Sequence, residues 1–388
     1  MCCRNIPPPG SLRSPTPQHV RGRLSPVTTG EEKGCWSAAK AEGPCDLADW
    51  AMLWPGHVSP EVRPMKFVQA QTLDAISDYR LEEGDAPAPR TGEVLIRVAA
   101  CGVGYVDALV ALGRYQVKPP LPFTPGSEVG GVIAGLGDGV TGFAVGDRVM
   151  ASVRGGFAEY AIAPAAATHK IPDRMAFAQA AGFPINYVTA LHGLRDRAVV
   201  RSGERLLVLG AAGGVGTAAV QIGKILGATV IAAASSAEKR DFARAQGADE
   251  GIDTAAEGWR ERLKAVCGGK GPDVVFDPVC GPLFEPAFRS LVWGGRHLVV
   301  GFAGGPIPAL RANLTLMKGA ALVGVDVRQF LLFEGAKAAA HMRELLAWVG
   351  EGRLVPPVGR TFALEDYRDA LEFALSGKGL GKTVLQVG

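Results

Sequence analysis

The sequence predicts an α/β fold in two parts: a doubly wound parallel sheet, preceded by a smaller β-barrel-type domain. Three observations carry that prediction. Arg205–Gly227 reads RLLVLGAAGGVGTAAVQIGKILG, an apolar run that breaks into glycines and then takes up helical spacing. From there to residue 301, strand-like and helix-like segments alternate, as βαβ units on a parallel sheet do. Residues 65 to 187, by contrast, hold short strands between glycine- and proline-rich turns, the pattern of a small barrel.

Length and composition bound the rest. A chain of 388 residues is long enough for two separate cores. Its 47% hydrophobic and 20% charged residues are ordinary for a soluble globular enzyme. A net charge of +3 is too small to draw a nucleic acid. No apolar run reaches the roughly 18 residues that span a bilayer, so no membrane partner is expected. Of the seven cysteines, Cys2, Cys3, Cys35 and Cys45 fall in the first 64 residues and Cys101, Cys267 and Cys280 follow. Without a CxxC pair or a His/Cys cluster they encode neither a disulfide framework nor a zinc site. Free thiols fit a reducing compartment, and the expected location is cytoplasmic.

In chain order, residues 1–64 are rich in proline and lack apolar periodicity, so they are expected to form a disordered extension with Met65 as the working start. MKFVQAQ and Val94–Ala99 then read as strands around a Pro/Gly turn at Pro87–Gly92. A helix-like run follows Cys101–Asp107 up to Gly113, then the loop RYQVKPPLPFTPGSE. Further strands are expected at Val129–Ala134, Val145–Met150 and 155–163, with a helical segment at Ala176–Gly182. In the second part, strands 205–210, 229–234, 250–253, 273–278 and 296–301 alternate with helices 214–227, 237–246, 257–267 and 283–291. ALVGVDV, after Gly319, reads as an edge strand. Helices at 334–350 and 364–375 and a closing strand, KTVLQV, are expected to return to the first domain.

The glycine stretch is the chemical centre of this plan. Gly210, Gly213, Gly214 and Gly216 follow a buried strand and open a helix. Bare glycines let a pyrophosphate approach the backbone, and the helix N-terminus supplies free N–H groups and partial positive charge. The cofactor-binding segment is therefore Gly210, Ala211, Ala212, Gly213, Gly214, Val215 and Gly216. An NAD site ends its second strand with an acid for the ribose 2′-OH. Here Ala234 stands in that place, followed by Ser235, Ser236 and Lys239, a set that accepts a 2′-phosphate. NADPH is the expected cofactor; Arg240 reads as a solvated helix residue.

The chain resembles the medium-chain dehydrogenase/reductase superfamily over residues 65–388. PGSEVGGVI (125–133) and VGDRV (145–149) resemble its P-G-x-E-x-x-G-x-V and G-D-R-V blocks. GYVDALVALGRY (104–115), AAGGVG (211–216), GAD (247–249) and GKTVLQV (381–387) are similar to its zinc-independent quinone oxidoreductase (zeta-crystallin-like) branch. The resemblance implies a GroES-like domain (65–187, completed by 320–388) and a Rossmann domain (188–319). It also implies a homodimer and hydride transfer from NADPH to a quinone or another α,β-unsaturated carbonyl. Where the zinc-containing branch carries Cys and His ligands, this chain has Gly104 and Ser127, and the four-cysteine loop after G-D-R-V is missing, so no metal is expected.

By the same resemblance Lys239 matches the lysine that such reductases use. Thr189 lies near the nicotinamide ribose, and Gly301 and Phe302 border the nicotinamide. Thr254 replaces a frequent tyrosine, and Gly104 a frequent asparagine. Tyr105, Asp107 and Tyr115 are the candidate catalytic residues: the tyrosines offer O–H donors and rings that stack on a flat acceptor, and Asp107 orients the loop or a ribose. The plainer readings are barrel packing for Tyr105 and a loop aromatic for Tyr115. Asn313 is read as a cofactor contact or a cap, and Lys382 as a cleft or a surface residue. His169 and His192 read as ordinary surface or packing residues. Two rival functions stand beside the main one: an enoyl- or acryloyl-thioester reductase, and an NADPH-binding protein with little turnover, including RNA binding of the zeta-crystallin kind.

Overall fold

A computed structural model describes residues 63–388 of the chain. The expected extension, residues 1–64, lies outside the described residues apart from Arg63 and Pro64, and Pro64 already begins the first strand.

The first part of the chain runs β1 (Pro64–Ala70), β2 (Tyr79–Asp85), β3 (Glu93–Val103), α1 (Tyr105–Ala111), β4 (Glu128–Leu136), β5 (Arg148–Ser152), β6 (Tyr160–Pro164) and β7 (Thr168–Lys170). Two helices, α2 (Phe177–Ala180) and α3 (Pro184–Leu191), lead into a π-helical turn, His192–Arg197. β3 is the spine: at eleven residues it pairs antiparallel with β4, β6 and β15 (Lys382–Gln386). The chain end therefore closes the barrel-type sheet, whose order is β14 (Val358–Ala363), β15, β3, β4, β5, β7. Its core buries Ile96, Val98, Val129, Ile133 and Phe157 against α1 and α11 (Tyr367–Leu375). Only Tyr160–Pro164 of the expected 155–163 strand pairs with β3; Phe157 and Ala158 turn instead to β1.

Between α3 and α11 the elements alternate: β8 (Arg205–Leu209), α4 (Gly214–Ile225), β9 (Thr229–Ala234), α5 (Ala237–Ala245), β10 (Glu250–Asp253), α6 (Trp259–Val266), β11 (Val274–Asp277), α7 (Phe284–Ser290), β12 (Arg296–Val299), α8 (Asn313–Lys318), β13 (Ala321–Gly324), α9 (Val327–Phe333) and α10 (Gly335–Gly350). The six strands pair in parallel in the order β10-β9-β8-β11-β12-β13, the doubly wound order. Alternation of side chains splits each central strand between two cores. Leu206 and Val208 of β8 face one cluster, Leu207 and Leu209 the other, and β9 and β11 divide the same way.

Two expectations about boundaries are corrected here. The return to the first domain does not begin at 320: β13 pairs with β12, and Met342, Leu345 and Trp348 of α10 share a core with Leu206 and Val208. The amphipathic α10 buries its apolar stripe on the nearest open face, which is the parallel sheet's. The other expected boundary, 187/188, falls inside the unbroken helix α3. Sequence reading also missed β2, β7, α3, α8, α9 and β14. Most of these are short, and β14, with its pattern of half-buried and exposed residues, shows no clean apolar alternation.

Candidate active site

The sheet order reverses between β8 and β11, so a crevice opens beyond the carboxyl ends of these strands. At the end of β8, Gly210 adopts φ +59°, a left-handed conformation that glycine takes without strain. A Cβ on Gly216 would run into the Gly210 carbonyl, and one on Gly214 would stand 2.8 Å from Asn186 Nδ2. Gly213 has ordinary room, 3.5 Å to the nearest atom, and is the loop's open face. Ala211 and Ala212 are buried and Val215 half-buried. Thr217 N donates to Gly213 O at 2.8 Å, and Gly381 N to Ala212 O at 2.8 Å, fastening the loop to the chain end.

At the end of β9, Ser235 is exposed and Ser236 caps α5, its Oγ accepting from Lys239 N at 3.3 Å. Lys239 Nζ donates to Gly377 O at 2.6 Å. Arg240 is not a solvated residue: it donates to Ala234 O at 3.2 Å and pairs with Asp253 at 3.2 Å, which holds a guanidinium at the strand end. The sequence signal for it was the acid at Asp253, whose register beside Ala234 only strand pairing reveals. On the far side, the turns after β11 and β12 lie together, with Ala303 N on Pro278 O and Gly304 N on Val279 O. Gly301 is half-buried there and Phe302 is 45% exposed, while Thr189 is buried on α3.

On the barrel side, Tyr105 opens α1 and is half-buried, and Tyr115 is half-buried in the loop beyond that helix. Asp107 Oδ2 accepts from Gly104 N at 2.7 Å, capping α1. Burial pushes the Asp107 carboxyl up, against the opposing pull of Lys382. Lys382, left open between cleft and surface, is an interior residue: its Nζ lies 3.0 Å from Glu128 Oε2, with the side chains 13% and 3% exposed. Glu128 Oε1 accepts from Ile185 N at 2.7 Å. Desolvation alone would lower the Lys382 pKa, but Glu128 and Asp107 outweigh it and hold the amine charged. The cation that Glu128 meets lies 254 residues away along the chain, a pairing that spacing does not reveal.

His192 is buried, 2.9 Å from Asp196 and stacked on Phe330, which is the packing role expected of it. Asn313 opens α8 and donates to Met317 Sδ at 3.8 Å. Thr254 N donates to Ala234 O at 3.3 Å, next to Arg240.

A doubly wound sheet with a glycine loop at its switch point, clamped to a barrel by the chain end, defines a two-domain nucleotide-dependent oxidoreductase. Residues 90–173 match the family model for the alcohol dehydrogenase GroES-like domain, and 214–348 that for a zinc-binding dehydrogenase. The chain is 34% identical over 327 residues to Homo sapiens quinone oxidoreductase, covering 84% of this chain and 96% of that one. It is 36% identical over 297 residues to Rattus norvegicus quinone oxidoreductase-like protein 2, covering 76% and 85%. A mycobacterial structure complexed with NADPH superposes with a TM-score of 0.76 at 30% identity, covering 83% of this chain and 99% of that one. The chain belongs to the quinone oxidoreductase family of medium-chain dehydrogenases/reductases.

The zinc in the second description does not suit the residues present. Glycine at 104 and serine at 127 offer neither thiolate nor imidazole, and the adjoining Glu128 is already paired with Lys382. Among the described residues, no three His, Cys, Asp or Glu side chains gather as a metal site requires. No helix among them is long and apolar enough to cross a membrane.

Proposed function

We propose that this protein is a zinc-independent, NADPH-dependent reductase of quinones or other α,β-unsaturated carbonyls. The observation that carries the reading is the Glu128–Lys382 pair beside Gly104 and Ser127, where a zinc enzyme would hold its metal. Oxidation of a simple alcohol passes through a localised alkoxide that a Lewis acid stabilises. Reduction of a quinone or enone leaves a delocalised anion instead; a phenol has a pKa of about 10. Hydrogen bonds and a fixed cation suffice for such an anion.

NADPH, when bound, supplies the hydride. In this reading the loop from Gly210 to Gly216 and the α4 N-terminus hold the pyrophosphate. Ser235, Ser236 and Lys239 take the 2′-phosphate, with Arg240 now added at the Ala234 carbonyl. Thr189, Gly301 and Phe302 flank the nicotinamide, and Tyr105 and Tyr115 line the acceptor pocket. Asp107 positions α1 rather than moving a proton, since its carboxylate is committed to the Gly104 amide. We further propose a homodimer built on the edge strand β13.

The test is NADPH oxidation against a panel of quinones, enones and acyl-thioester enones. Turnover with the first two classes is expected. Preference for the thioester would favour the enoyl-thioester reading. Tight NADPH binding without oxidation across the panel would favour a binding protein.

A further inference from the structure

Gly102 and Gly182 make a slot for one side chain. A Cβ on Gly182 would stand 2.6 Å from Lys382 Cγ, and one on Gly102 would run into the Ala181 carbonyl, with Lys382 Cε 2.9 Å away. The lysine stem fills the space at Gly182 and shares that at Gly102 with the Ala181 carbonyl, so its ammonium is delivered to one fixed point. There Glu128 Oε2 takes one of three N–H donors at 3.0 Å, and the Ile185 amide pins the other carboxylate oxygen. A Cβ on Gly104 would lie 3.6 Å from Nζ and 3.2 Å from Asp107 Oδ2; glycine leaves that side of the ammonium open. Residue 104 is also where the zinc-containing branch places a thiolate ligand.

We propose that the Lys382 ammonium, steered by Glu128, is the positive charge that meets the oxyanion developing on the acceptor, in the place a zinc ion takes elsewhere in the fold. The proposal rests on the reductase reading above. Hydride adds to the conjugated carbon and the C=C pair shifts, so that two electrons come to rest on the carbonyl oxygen as an enolate or phenolate. That anion then takes a proton from water; the acceptor is reduced and the nicotinamide oxidised. Lys382 keeps its proton throughout and acts by charge. The groups facing it are Glu128, Asp107 and the buried thiol of Cys101, which desolvation raises well above its ordinary pKa and so keeps neutral. Lys382 also borders a cavity of about 10 Å³ shared with Asn186, Gly214 and Thr217. The other anion within its chemistry is thus the pyrophosphate at the glycine helix.

Lys382→Met and Lys382→Arg, compared with wild type, separate the two anions. Kd for NADPH is read by fluorescence, and kcat at saturating NADPH with one quinone and one enone. For Lys382→Met the expected result is an NADPH Kd within about twofold and a kcat loss of about 100-fold or more. The loss should be larger on the enone, whose enolate is the more basic anion, and Lys382→Arg should recover most of it. A rise in Kd with kcat intact would make the lysine a phosphate holder and overturn the proposal. So would an equal loss on both acceptors, which marks a structural role. If Lys382→Met does not fold, Lys382→Gln gives the same ratio. Wild type inactive on both acceptors would sink the reductase reading itself, and the proposal with it.

Discussion

At the end of β9 a methyl group stands where an NAD site carries a carboxylate, and the cations nearby are Lys239 and Arg240. They are not equivalent. Arg240 is fixed between Ala234 O and Asp253, whereas Lys239 reaches across to the Gly377 carbonyl, an exposed partner that a phosphate can displace. A charged hydrogen bond to a phosphate contributes about 1.5–3 kcal/mol. Lys239→Glu should therefore raise the Kd for NADPH by roughly 10- to 100-fold. NADH, which lacks the phosphate, should change little. Equal losses for the two cofactors in the same titration would remove Lys239 from the phosphate site.

Among the elements, β13 is where the molecule is unfinished. It pairs with β12 on one side only, leaving a row of N–H and C=O groups at the end of the six-stranded sheet. Leu322 on this strand is exposed, as are Trp293 (79%), Leu316 (81%) and Met317. An apolar edge of this kind marks an interaction surface. In the homodimer proposed above, a second copy offering the same edge would satisfy it with two-fold symmetry. Light scattering should then give a dimer mass for the wild type and a monomer for Leu322→Lys, because a charge on the edge opposes pairing. A monomeric wild type at micromolar concentration would refute the arrangement. The glycine loop is the opposite case, an element complete in itself. Gly216 is required by the Gly210 carbonyl, and the Gly381 amide ties the loop to the chain end.

For the whole molecule, acid is the revealing condition. Burial lowers the pKa of His341, against the opposing pull of Asp196, and burial lowers that of His169 as well. Unfolded histidines titrate near pH 6.5, so on acidification the unfolded chain takes up protons first. Stability from the neutral histidines is complete above about pH 6.5 and is lost as the pH falls through the lower folded values. The carboxylates add a second stage. Burial raises Asp273 and Glu204, but their bonds to Arg205 and Arg296 outweigh it and leave both below the usual range. Their contribution is present above about pH 4 and disappears below it. Asp107, held above its usual range, works in the opposite sense. Tm should therefore fall in two steps, first as the pH drops below about 6.5 and again below about pH 4. A profile flat from pH 7 down to the onset of the carboxylate step would contradict the histidine assignment.

The sequence alone determined what depends on neighbours along the chain. The glycine loop at 210–216, the alternation of the parallel sheet and the missing acid at Ala234 are all local patterns. Each reflects a short-range rule of backbone freedom, side-chain period or charge. What the tertiary structure decided depends on residues far apart. It joined Lys382 to Glu128 across 254 positions, set Arg240 against Asp253 and sent β13 and α10 to the parallel sheet. Spacing along a chain carries no record of which cation a buried carboxylate will meet. Only the closing of the sheets brings such partners within reach.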